Sequence, residues 1–142
     1  MTTPSRRSVI LRKCNEYRVD TIASIIREAM EELSAHPRGR ILIKPNVVTA
    51  NKEYIHHSYT NPDVIEAMVH TLRTHYGAND ITVGESGGIG IPTRLFFADS
   101  GYRTLARRLD VPLSDFNEEE TINVALKRAK WHKTMLVAKS LY

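Results

Sequence analysis

Residues 40–46 read Arg-Ile-Leu-Ile-Lys-Pro-Asn, and residues 80–90 read Asp-Ile-Thr-Val-Gly-Glu-Ser-Gly-Gly-Ile-Gly. Each begins as a short aliphatic, β-branched run and stops at proline or glycine, which is the pattern of a buried strand. Arg40–Lys44 is expected to be one strand, ended by Pro45-Asn46 because proline cannot donate to a sheet ladder. Asp80–Val83 is expected to be another, running straight into the glycine loop. Between them, Val64, Ile65, Met68, Val69 and Leu72 recur at helical spacing. Asn61 is placed to cap that helix and Pro62 to open it, with an end near Tyr76-Gly77. Strand, helix and strand in this order make a parallel pair with a right-handed crossover. Runs that are apolar on both faces, as these are, suit a parallel sheet.

The pattern extends outward in both directions. Ser8–Cys14 reads as a further strand. Ile22, Ile25, Ile26, Ala29, Met30 and Leu33 form a helical stripe, with Asp20 as its expected N-cap and His36-Pro37-Arg38-Gly39 as its stop. After the glycine loop, a helix over Thr93–Leu109, broken at Ser100-Gly101, leads to a strand over Val111–Phe116. Glu118-Glu119-Glu120, a strand over Thr121–Leu126, basic residues from Lys127 to Lys133 and a helical Thr134–Tyr142 complete the chain. The expected fold class is α/β, a three-layer, mainly parallel sheet with alternating strands and helices, incomplete at the C-terminus. Residues 1–142 are read as one α/β domain or a fragment of a larger one.

The composition fits this. The chain is 142 residues long, with 42% hydrophobic and 25% charged side chains, so it can build a core and is not disordered throughout. Its one cysteine, Cys14, cannot form an internal disulfide or supply a four-thiolate site, and it reads as a small core residue. No apolar run approaches the ~18 residues that a membrane span needs. The first eight residues are polar and basic and lead into too short an apolar run for a signal peptide, so a cytoplasmic location is expected. The net charge of +4 is unevenly spread: residues 51–100 carry 3 basic and 6 acidic side chains, whereas both flanks are basic. That acidic middle argues against a nucleic-acid groove.

In parallel sheets, ligands bind beyond the carboxyl ends of the strands. Lys44 and Asn46 leave one strand there and the glycine loop leaves the other, each leading to a helix N-terminus that attracts anions. Lys44 is placed to hold an anionic ligand or to pair with Glu85 on the next strand. Asn46, Thr60, Ser86, Gly87 and Gly88 are the further candidate ligand-binding residues. The four glycines of residues 84–90 match neither a Walker loop nor a dinucleotide fingerprint. They read equally well as a tight strand-to-helix turn or as a binding loop. His56 and His57, with Glu85, are the candidate metal ligands, although adjacent histidines in an extended loop face opposite ways. No catalytic triad can be drawn.

Four of these segments together resemble the domain of unknown function 362 family. They are Ile41–Val48 followed by Thr60-Asn61-Pro62, the Gly84-Glu85-Ser86-Gly87-Gly88 loop, Ser100-Gly101-Tyr102, and Val111–Asn117. Order and spacing agree over residues 40–120. The resemblance implies an uncharacterised α/β domain, often joined in longer relatives to an iron–sulfur ferredoxin segment. With Cys14 alone, that cofactor cannot be carried over to this chain. Family members also continue beyond the equivalent of Tyr142, so the expectation is a short version whose missing segment would complete the site. Two readings follow. One is an anion- or metal-binding, redox-associated domain. The alternative is a non-catalytic module that binds nucleic acid or a partner protein through its basic outer segments, with self-association through the apolar C-terminal stretch.

Overall fold

A computed structural model describes residues 8–48, 58–87 and 92–142. Three strands, β1 (Ile41–Ile43), β2 (Ile81–Glu85) and β3 (Leu113–Asp115), form a parallel sheet in the order β1-β2-β3. Helix α2 (Pro62–Tyr76) joins the first pair, and α3 (Thr93–Asp99) with α4 (Tyr102–Leu109) joins the second. Neighbouring parallel strands joined by right-handed crossovers place both connections on one face. The core shows this: Ile65, Val69 and Leu72 of α2 and Phe96, Phe97, Tyr102 and Leu105 of α3 and α4 share one cluster with Ile81 and Val83. Burying each large aliphatic or aromatic side chain here contributes roughly 1.5–3 kcal/mol. Helix α1 (Val19–Glu32) packs on a different stripe of α2, where Ile22 and Ala23 meet Ala67.

The α/β class with alternating helices and strands is the expected one. Helix α2 forms where its signals placed it. The Asn61 side chain accepts a hydrogen bond from Asp63 N at 2.8 Å, Pro62 opens the helix, and Gly77 closes it in the left-handed conformation. The helix beyond the glycine loop breaks at Ser100 and Gly101, as the sequence implied.

Several expectations are corrected. Ser8–Cys14 joins no strand, and Val9 and Leu11 stand exposed, because no neighbouring strand among the described residues offers a partner. Cys14 is exposed rather than a core residue. Asp20 does not cap α1: the helix starts at Val19, and Asp20 sits in its first turn, where the dipole favours a carboxylate. Thr134–Tyr142 is not a helix. Residues Thr134–Ala138 form β5, paired antiparallel with β4 (Thr121–Ala125), and only Lys139–Leu141 turn into a short 3-10 helix. That turn ties the β4–β5 hairpin to the second face of the parallel sheet. Ser114 Oγ donates to Ser140 Oγ at 3.3 Å, which donates to Glu119 Oε1 at 2.6 Å.

Candidate functional site

The carboxyl ends of β1 and β2 lie side by side, with Ile43 opposite Val83. One residue beyond β1 comes Lys44, and two beyond Val83 comes Glu85, on the helix-covered side of the sheet. The two side chains meet: Lys44 Nζ lies 2.6 Å from Glu85 Oε2. The pair is asymmetric, for the Glu85 side chain is 4% exposed and that of Lys44 is 55% exposed. A carboxylate this deep needs compensation. The lysine supplies charge, and Ser86 N donates to the other oxygen, Oε1, at 2.8 Å. Both carboxylate oxygens are therefore engaged.

The two described ends of the polar loop beyond β1 pair with each other. Val47 bridges to Tyr59, Thr60 N donates to Asn46 O at 2.9 Å, and Asn46 N donates to Thr60 Oγ1 at 3.0 Å. Thr60 thus fixes the Asn46 backbone, and Asn46 is exposed. Tyr102 anchors the arrangement from below. It is 1% exposed, and its hydroxyl donates to Thr60 O at 2.6 Å. Burial raises its pKa, so the phenol stays a donor throughout the neutral range.

The described start of the glycine loop is held by its own surroundings. Gly87 N donates to Thr93 Oγ1 at 2.8 Å, and Asn117 Nδ2 donates to the same oxygen at 3.1 Å. A side chain at Gly87 would meet the Phe96 ring at 2.8 Å, and one at Gly84 would meet the Phe116 ring at 2.5 Å. These glycines are therefore required by close packing, whatever ligand the loop carries. With the N–H groups of Ser86 and Gly87 both occupied, neither is offered to a phosphate in this arrangement.

The structure thus gathers Lys44, Asn46, Thr60, Glu85, Ser86 and Gly87 at one edge. Gly88, His56 and His57 lie outside the described residues. Among the described residues, no three His, Cys, Asp or Glu side chains assemble as a metal site. Sequence reasoning missed Thr93, Tyr102 and Asn117 as positioning residues. The Gly101-Tyr102 and Asn117 positions lay within the recognised segments, which was the one available signal.

Fold and edge together define an α/β domain whose polar groups converge where parallel strands end. The chain belongs to the family Domain of unknown function (DUF362), which matches it over residues 41–142. A curated relative, a thylakoid-associated protein of Synechocystis sp., is 27% identical over 115 residues, 78% of this chain. The chain spans 35% of that relative's length. No solved structure matches. Among the described residues, no helix is long and apolar enough to cross a membrane.

Proposed function

We propose that this domain binds a small anionic ligand at the carboxyl edge of its sheet, with Lys44 as the anchoring charge. The observation that carries the reading is the asymmetric pair. A buried carboxylate fixes the lysine at 2.6 Å, while more than half of the lysine side chain faces solvent. The ammonium keeps donors for a ligand, and Asn46 and Ser86 follow the two strand ends and supply the further polar side chains of this reading. Glu85 serves as the positioning residue for Lys44. A metal at Glu85 is the less favoured occupant, because both of its oxygens already hold donors. An iron–sulfur cluster held by this chain alone is not part of this reading, since one cysteine cannot ligate a cluster.

Calorimetric titration with citrate and with inorganic phosphate tests this. Lys44→Ala is expected to weaken binding about tenfold, the usual scale for a charge-assisted hydrogen bond. Unchanged affinity in a variant of native circular dichroism would overturn it.

A second reading rests on the β4–β5 hairpin. Residues 121–142 carry five basic side chains and no acidic one, and Trp131, Leu136 and Tyr142 are exposed there. This favours contact with an acidic partner or a second copy of the chain through the hairpin. Salt-sensitive association by sedimentation would distinguish it from the first reading.

A further inference from the structure

The β4–β5 hairpin is a sheet of its own: among the described residues, neither of its strands pairs with β1, β2 or β3. Its loop is held in shape. Leu126 N donates to Lys133 O at 2.8 Å, Ala129 N to Leu126 O at 3.3 Å, and Lys133 Nζ to Ala129 O at 2.9 Å. Two features of this tip are unexplained by folding. The first is charge. Lys127, Arg128, Lys130 and Lys133 are exposed, and none meets a carboxylate among the described residues. The glutamates at the base of the hairpin, Glu118, Glu119 and Glu120, are already engaged by Arg94, Ser140 and Lys139. The second is apolar surface. Trp131 is 89% exposed among the four cations and belongs to neither apolar cluster of the domain. Met135 and Leu136 follow at 53% and 67% exposure. Being consecutive in a strand, they face opposite sides of the hairpin, Met135 beside Val124 and Leu136 beside Asn123.

That placement selects the partner. A partner protein would cover one face of the hairpin and leave the apolar residue of the other in water. A nucleic-acid strand lies in a basic groove with aromatic rings in succession. Residues 130–136 are instead exposed without interruption and carry a single ring of Phe, Tyr or Trp type. A lipid interface surrounds whatever enters it. Indole settles at headgroup level, and lysine and arginine are drawn to anionic headgroups. At about 3.3 Å per residue, Leu136 lies roughly 10 Å from Lys133 along β5, within the ~5–10 Å depth that interfacial apolar groups reach. We propose that the tip of the β4–β5 hairpin docks on an anionic lipid surface, with no segment crossing the bilayer. Trp131, Met135 and Leu136 enter the interface, and Lys127, Arg128, Lys130 and Lys133 meet the headgroups. The proposal rests on the reading of the hairpin as a contact for an acidic partner, and names that partner. It uses none of the residues around Lys44.

Co-sedimentation with lipid vesicles is the test, using phosphatidylglycerol and phosphatidylcholine in equal parts, or phosphatidylcholine alone. The protein should sediment with the anionic vesicles at low salt, be released from them at high salt, and stay in solution with phosphatidylcholine alone. Lys127→Ala and Lys130→Ala should each weaken partitioning about fivefold, the scale of one cation near an anionic surface. Trp131→Ser should weaken it at unchanged charge, and Trp131→Phe should restore most of the loss. Arg107→Ala, which removes an exposed cation from α4 instead, should leave it unchanged. All these positions are exposed, so the variants should fold, as circular dichroism will check. The proposal falls if anionic vesicles take up no protein, or if Trp131→Ser partitions as the wild type does. It falls equally if Arg107→Ala loses as much as Lys130→Ala, which would mark a diffuse charge effect, or if a single-stranded oligonucleotide binds and vesicles do not. A salt-sensitive dimer that Trp131→Ser dissolves, without vesicle binding, would overturn the lipid surface and keep the hairpin as a contact. No association of any kind would overturn both.

Discussion

Gly87 shows how little room the loop beyond β2 allows. Its missing side chain lets the backbone approach the buried Phe96 ring and lets its amide reach Thr93 Oγ1. A methyl group there would lie 2.8 Å from a ring that is itself fixed in the core. Gly87→Ala should therefore cost about 1–3 kcal/mol, the scale of overpacking, as read from urea unfolding followed by circular dichroism. A loss below a few tenths would mean that Phe96 gives way freely. At this scale the sequence was half legible. The Lys44–Glu85 pair could be foreseen, because adjacent parallel strands end at one edge and carry their next residues with them. The bonds of Tyr102 to Thr60 and of Asn117 to Thr93 could not. They join residues far apart in the chain, and only the packing of α3 and α4 brings them together.

Elements were most legible where the signal is local. Helix α2 has its cap, its opening proline and its closing glycine within its own sequence, and all three act as their chemistry dictates. Asn61→Ala removes the bond to Asp63 N and should cost about 1 kcal/mol, typical of a lost N-cap. A thermal melt unchanged from wild type would show that another group caps the helix. The segment Thr134–Ala138 shows the opposite case. Five residues of mixed apolar character fit a helix or a strand equally well by periodicity. What decides it is the pairing with Thr121–Ala125 across an eight-residue loop. Ser8–Cys14 fails for the complementary reason: its β-branched residues suit a strand, but a strand also needs a neighbour.

For the molecule as a whole, α2 and α4 are joined by more than the core. The two terminal guanidinium nitrogens of Arg108 donate to the two carboxylate oxygens of Glu66. That hydrogen bonding holds the Glu66 carboxyl below its usual value of 4.5, against the opposing effect of burial. The sign follows from linkage. A carboxyl whose pKa is depressed by folding adds stability above its unfolded value, and that stability is lost as pH falls through the lower folded value. The gap in melting temperature between wild type and Glu66→Gln should thus be widest near neutrality and close as pH falls below 4.5. A gap that stays constant across that range would remove Glu66 from the acid response.

The placement of one side chain has a practical consequence for all these measurements. Trp131 is the only tryptophan, and it stands 89% exposed in the loop between β4 and β5, remote from the core around Tyr102. Its fluorescence is already that of an indole in water when the protein is folded. Emission will therefore follow the hairpin loop and stay nearly silent while the parallel sheet and its helices come apart. A small emission change on unfolding would therefore reflect where the fluorophore sits, whereas emission and circular dichroism curves with different midpoints would mark a populated state in which the hairpin and the sheet have separated.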